Sequence, residues 1–516
     1  MLISGQQLMA QIPEDALRMS WNVPSGTARH QAIGGAMGSL GGEITSLYVN
    51  PAGLGFYKTS EVVLSPGFGF YKGKGNFRGT DATSDQLSKF GLGTTGFVFA
   101  FNDRYSKWTN KTFSIAVNRT ANFNNTIHYK GTNDYSSFSE PLANEFFDYY
   151  ISRKNENPGL SDDAIIDDAL DERGISLLTK MGLYTYLIDV KPGGGPNAVF
   201  SRAEQAGIVN QENTIKTTGG ITEVALGFAS NMDDKLYIGG SLGVPIVNYK
   251  RVSEYKESDF NGSGNNEFNY MTYSEEYTSK GIGVNLKLGL IFKPANFLRV
   301  GVAIHTPTFY GLKDKYSSSM TTDIDTSRLN PKVFTVASDV FANSIDPEFK
   351  YDVTTPWRFL VSGSYVFQEA ADVTKQRGFL TADVEYVSYK GSRLRAGDET
   401  SDGDYFKEVN NAVKAIYKSA FNFRVGGELK FNTIMTRLGF AYYGSPYDDK
   451  ELKASKMNIS GGLGYRDKGI FVDLTYVHSL NKDVNFPYRV DAPRLNTFAE
   501  LKENNGAVLL TVGFKL

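Results

Sequence analysis

Residues 282–292 read "IGVNLKLGLIF". Ile282, Val284, Leu286, Leu288, Leu290 and Phe292 alternate with Gly283, Asn285, Lys287, Gly289 and Ile291. Period two marks a β-strand, because successive side chains point to opposite faces. One face is wholly apolar, and the other carries Asn and Lys. Such a strand asks for an apolar medium on one side and a polar one on the other.

The same alternation recurs along the chain. Leu380, Ala382, Val384 and Tyr386 alternate with Thr381, Asp383 and Glu385. Phe421, Phe423, Val425, Leu429 and Phe431 alternate with Asn422, Arg424, Gly426, Glu428 and Lys430. Ile470, Val472, Leu474 and Tyr476 repeat it, as do Val508, Leu510, Val512, Phe514 and Leu516. Strands are expected near 61–73, 94–102, 111–130, 217–230, 235–251, 270–292, 297–306, 356–368, 378–390, 418–432, 435–444, 455–466, 469–479 and 506–516. Single-chain bacterial barrels close on even strand numbers, with segments of about ten alternating residues. The expected fold is therefore all-β: a transmembrane antiparallel barrel of about 14 strands. A water-soluble sandwich also alternates, but it does not call for so many long, clean apolar faces.

The totals are compatible with this. The chain has 516 residues, 53 Gly, 30 Tyr, 35 Phe and no Cys. No compositional break divides it into domains, although its length alone suggests several. A net charge of -2 gives no footprint for nucleic acid. Lack of Cys excludes a disulfide framework and thiolate metal sites. No run of about 18 apolar residues is present, so no membrane-crossing helix is expected. The mean hydropathy of -0.30 does not count against a barrel, whose two faces average out.

Three stretches break the pattern. Residues 11–58 are small, Gly-rich and loosely helical, and they end in Asn50-Pro51-Ala52-Gly53. Pro removes a donor and Gly breaks regular pairing, so this is a turn and not a strand. Residues 131–216 carry helical signals, with Ser139 and Ser161 as expected N-caps. Residues 403–418 place Phe406, Val409, Val413 and Ile416 at helical spacing. At the start, Leu8-Met9-Ala10 before Gln11 suggests that 1–10 is a signal-peptide remnant.

Signals for chemistry are weak. His30, His128, His305 and His478 are scattered without metal-ligand spacing, and no nucleophile elbow occurs. No catalytic residue, metal or cofactor is expected. The acidic run 162–172 lacks Ca-loop spacing and reads as a solvated helix face. Lys250, Arg251 and Lys256 gather at the end of the fifth strand, and Lys407 lies on the 403–418 helix. They are either loop and lipopolysaccharide-facing charge or a clamp for an anionic head group. The third strand is unusual. After Phe113, Ile115 and Val117 it turns polar on both faces, at Asn118, Arg119, Asn122, Asn124 and Asn125. Either it has left the bilayer there, or it bends and opens the wall.

In their order along the chain, several segments resemble the FadL-type outer-membrane transporters, the family of long-chain fatty acid and aromatic hydrocarbon channels. They are "ARHQAIGGAMGSLGGEITSLYVNPAGLG", "NFNNTIHYKG", "LRVGVAIHTPTFYGLKDKYSSSM", "TTPWRFLVSGSYVF", "TADVEYVSYKGSRL", "FRVGGELKFNTIMTRLGFAYYGSPYDD" and "FVDLTYVHSL". The resemblance implies location in the bacterial outer membrane and a 14-stranded barrel over 59–516. It implies a hatch over 11–58, marked by Asn50, Pro51, Ala52 and Gly53, and a helical extracellular insertion at 131–216. It further implies passive, non-enzymatic uptake of a hydrophobic small molecule, with a lateral gate at Asn118, Arg119, Asn122, Asn124 and Asn125. By position, Lys250 or Arg251 and Lys407 would hold a head group. Phe146, Tyr150, Leu177, Leu178 and Leu183 are expected to line an outer apolar groove or to form the insertion's own core. Departures are Gly42-Glu43 in place of the family's acidic pair, and an insertion placed earlier than usual.

Expected partners are the hydrophobic ligand and the lipid and lipopolysaccharide of the outer membrane. In a rival reading the barrel is a scaffold or shuttle in a secretion complex, and the insertion contacts another protein. A second rival, an outer-membrane hydrolase, would need an inward acid such as Asp383. No nucleic acid partner is expected.

Overall fold

The computed structural model describes residues 13–103, 105–191, 198–262, 266–325, 332–341, 348–367, 377–397, 403–491 and 493–516. The expected remnant 1–10 lies outside them. The strand pieces join into fourteen antiparallel runs that close on themselves. In chain order the runs cover 61–77, 80–102, 108–133, 209–232, 236–259, 270–295, 298–323, 333–337 with 348–367, 378–396, 419–431, 434–443, 455–467, 470–485 and 499–515. The first pairs with the last, with Glu61 opposite Lys515, Gly67 opposite Leu509 and Phe77 opposite Ala499.

Each expected strand has its counterpart, but many are longer than expected. The second begins at Thr80, since Thr80–Thr83 and Leu87–Leu92 pair with the first strand. The fourth, fifth and sixth run for 24, 24 and 26 residues. Crossing a bilayer takes about 9–11, so roughly half of each extends past the apolar belt. This corrects the insertion's bounds. The third strand continues to Asn133 and the fourth starts at Val209, leaving 134–208 for the insertion. Period-two polarity on both faces hides such extensions, because water lies on both sides of the wall above the lipid.

Alternation sets the two faces. Ile282, Val284, Leu286, Leu288, Leu290 and Phe292 are exposed, while Asn285, Lys287 and Ile291 are buried inside. The same outward apolar belt continues through Phe113, Leu226, Leu242, Val300, Phe359, Leu380, Phe423, Leu438, Leu474 and Leu510. A ring of exposed apolar side chains around a polar interior suits hydrocarbon outside. No helix among the described residues is long and apolar enough to cross a membrane.

Residues 13–57 lie inside the ring. They contain the helices Pro13–Ser20, Ala28–Ala32 and Ser46–Val49, then a 3-10 turn at Pro51–Phe56. Wall side chains meet this segment's irregular backbone. Thr511 accepts from Ala28 N–H at 2.7 Å, Thr475 donates to Ala28 C=O at 2.7 Å, and Asp383 accepts from the N–H groups of Met37 and Gly38 at 3.1 Å. The Asn50 amide donates to the carbonyls of Gly38 (2.6 Å), Leu290 and Val302 (both 3.3 Å). At Gly301 and Gly439 the wall touches the segment backbone directly. A Cβ there would overlap Gly38 or Ile33-Gly34, which is why the wall carries glycine at these points.

This docking generates a prediction. Gly439→Val should displace the segment at a cost of about 1–3 kcal/mol while leaving the barrel closed. Bilayer conductance should rise and residues near Ile33 should become protease-sensitive. Gly363→Ala, where an added Cβ meets nothing within 4 Å, should behave as wild type.

Candidate functional site

A cavity of about 110 Å³ lies within the barrel, between the N-terminal segment and the wall. The segment contributes Met19, Asn22, Pro24, Ser25, His30 and Tyr48, and the wall contributes charge. Lys287 pairs with Glu223 and donates to Asn285 at 2.6 Å. Arg424 sits 3.2 Å from Glu385, and Arg358 sits 3.6 Å from the same carboxylate. Arg424 also lies 3.9 Å from Asp383, so three cations meet three carboxylates and the charges balance. His30 adds no positive charge, because burial beside Arg424 pushes its pKa down to about 3. These wall residues escaped sequence reading as a site. The signal was present, since Lys287, Glu385 and Arg424 occupy inward positions of apolar-alternating strands, but pattern alone does not bring them together.

The cavity reaches the third strand at Thr120 and the fourth at Ile221. Here the wall is interrupted. Third and second strands pair only up to Thr95–Val117. Beyond Val117 no ladder pair joins them among the described residues. Pairing to the fourth strand shifts register between Ile221 and Thr222, and the third strand itself breaks at Phe123-Asn124. The polar run occupies this interruption. Asn118 is buried and donates to Ser25 C=O at 3.1 Å, and Ser25 N–H donates to Arg119 C=O at 2.9 Å. Arg119 also reaches Thr222 Oγ1 at 3.3 Å. Asn122 accepts from Asn124 N–H at 3.0 Å and contacts Tyr71. Asn124 accepts from Gly219 N–H at 3.2 Å, and Asn125 accepts from Thr126 N–H at 2.8 Å. Short amide side chains satisfy backbone groups that have lost a ladder partner. The third strand runs on past the belt to Asn133, and its ladder to the second strand stops at Val117.

Other expected site residues fall elsewhere. Asn50, Pro51, Ala52 and Gly53 are buried at the turn where the internal segment leads toward the first strand. Lys250 faces outward and pairs with Glu276 at 2.7 Å. Arg251 faces inward, pairs with Glu275 at 2.5 Å and lies over the Tyr277 ring. Lys407 is exposed on the helix Gly403–Ile416. The three do not converge, because successive strand residues point to opposite faces. Phe146, Tyr150, Leu177 and Leu183 are buried in one core with Tyr255, Met271 and Met320, and Leu178 is partly buried beside it. They are the insertion's own core and not an open groove, since helices this short need a shared apolar contact to be stable. Asp383 holds the internal segment through Met37 and Gly38, which fits support better than hydrolysis. No group of metal-ligating side chains is found among the described residues.

No family model and no curated protein matches the sequence. Solved structures do match. A FadL homologue of Pseudomonas aeruginosa aligns over 96% of this chain and 99% of its own, at 12% identity and a TM-score of 0.53. The toluene transporter TodX of Pseudomonas putida aligns over 95% and 99%, at 12% identity and TM-score 0.51. The toluene transporter TbuX of Ralstonia pickettii aligns over 96% and 100%, also at 12% and 0.51. The fold is that of the FadL-type channels. Within that FadL-type fold, the interior here is built from this chain's own residues, the charged cavity lining included.

One internal carboxyl makes a pH prediction. Glu43 accepts from Thr27 Oγ1 at 2.7 Å and from Thr45 N–H at 2.9 Å, tying the Ala28–Ala32 helix start to the Ser46–Val49 helix start. Burial raises its pKa to about 7, against the opposing pull of Thr27 and Arg29. A raised acid favours the fold while protonated. Its contribution is full below the ordinary carboxylate range and is lost as pH rises through about 7. The wild-type melting temperature should therefore fall between pH 5 and pH 8. In Glu43→Gln this part of the pH dependence should disappear.

Proposed function

We propose that this barrel is an outer-membrane channel for passive uptake of hydrophobic small molecules that carry a small polar or carboxylate head. Long-chain fatty acids belong to this class. The observation that carries the reading is the cavity whose lining ends at Thr120, beside the interruption between the second and third strands. In this reading the ligand arrives from the long-loop end and rests in the cavity. It then leaves sideways past Asn118, Arg119, Asn122, Asn124 and Asn125 into lipid. Residues 13–57 act as a hatch that closes the axial route, with the Asn50 turn as its anchor. Lys287, Arg358 and Arg424, each held by a carboxylate, offer charged N–H donors that support a small polar or carboxylate head, and hydrogen bonds to such a head in a confined cavity are strong. No energy source is needed, since transfer from water into lipid is downhill for an apolar tail.

Uptake of labelled long-chain fatty acid and of toluene should be followed in cells lacking other channels of this kind. Thr120→Trp fills the cavity mouth at the wall and should lower uptake at least fivefold while heat-modifiable migration stays normal. Phe113→Trp, on the lipid face of the same strand, should leave uptake unchanged. Wild-type rates no higher than the barrel-free control for both compounds would overturn the reading. Equal uptake by Thr120→Trp and wild type would remove the lateral route.

A further inference from the structure

The outer wall carries a row of like charges. Lys280 on the sixth strand is directly opposite Lys313 on the seventh, and Lys313 is directly opposite Lys350 on the eighth. All three are exposed. Like charges directly across a strand pair repel and destabilise the sheet. Local carboxylates compensate only in part. Glu348 meets Lys313 and Lys315, whereas Lys280 and Lys350 have no ion pair among the described residues. Asp352, the next outward residue on the eighth strand, stands opposite Arg395. The row continues into Asn248 on the fifth strand, so no acid interrupts it.

Its height on the wall is specific. Lys280 is the first outward residue after Ile282, the end of the exposed apolar run that reaches Phe292. Lys313 stands two outward positions from exposed Phe309 on the seventh strand. The lysines thus crown the apolar belt at the end bearing the long loops. Short turns mark the opposite, periplasmic end in barrels of this type. Three lysines on neighbouring strands span two interstrand spacings, about 10 Å. One phosphate cannot bridge that width, but two phosphates on one head group can.

We infer that Lys280, Lys313 and Lys350 form a docking site for a bis-phosphorylated glycolipid of the outer leaflet. Its phosphates neutralise the row, and its acyl chains lie over Ile282, Val284 and Phe309. The inference rests on the long-loop end facing outward, and not on what the lumen carries. Luminal ligand binding measured on the same variants should match wild type, so failure here leaves the channel reading standing.

The test uses the full chain in a neutral, phosphate-free detergent and the triple variant Lys280→Gln/Lys313→Gln/Lys350→Gln. Without lipid the variant should melt higher than wild type, because the repulsion is gone. Added diphosphoryl lipid A should raise the wild-type melting temperature, monophosphoryl lipid A should raise it less, and the dephosphorylated lipid should not. The variant should bind diphosphoryl lipid A at least tenfold more weakly, and wild-type binding should weaken with added salt. Three results would each overturn the site: an equal shift in the variant, an equal effect of dephosphorylated lipid, or an equal effect of soluble pyrophosphate. The last would mark a free-anion site instead of a lipid one.

Discussion

Every backbone N–H and C=O at bilayer depth must find a partner within the protein, because hydrocarbon offers none. That constraint forces the fourteen runs to close, with the Glu61–Leu64 edge meeting the last strand at Lys515 to Val512. Closure in turn fixes two faces for each spanning residue. Large apolar groups go outward, where burial in lipid is favourable, and everything polar goes into the lumen. The charged interior follows from this geometry before any function is considered.

The same constraint governs the segment inside. Its backbone is irregular, so it cannot pair with itself as a strand would. Irregular backbone at membrane depth is tolerated only where protein or water surrounds it. Here the wall supplies the partners: Thr475 and Thr511 for Ala28, Asp383 for Met37 and Gly38, and the segment's own Asn50 for wall carbonyls. Buried polar groups are costly unless satisfied, so these side chains are committed to holding the segment. Asp383 therefore looks reactive in the sequence but is employed in support.

How much of this was legible follows from which physics is local. Strand existence was readable from single segments such as 282–292, because lipid on one side imposes an unbroken period of two. Extensions above the lipid were not, since water on both sides removes the pattern; Val209–Lys216 and Val252–Asp259 read as loop or as charge. The asparagines of the third strand stood out because polar residues in a spanning strand are exceptional. Lys250 and Arg251 were grouped as neighbours in sequence, yet the pleat sends them to opposite faces. The apolar residues of 134–208 left two readings open, and only tertiary packing decides between a groove and a core. The cavity brings residues from the segment together with Glu223, Lys287, Arg358, Glu385 and Arg424 on separate strands, and no short-range pattern encodes that meeting.

The interruption at Val117 ties these threads together. A barrel can lose ladder pairing only where something else satisfies the freed groups. Here that something is the Asn118–Ser25–Arg119 exchange on one side and Asn122, Asn124 and Gly219 on the other. Side-chain amides are weaker constraints than a ladder, because each is one bond on a rotatable arm and not a cooperative row. The wall is therefore less tightly held where the ladder stops, which the cavity reaches at Thr120, and Asn22–Ser25 of the inner segment line the cavity there. Two hydrogen bonds at Ser25 thus join the inner segment to the wall where the ladder stops.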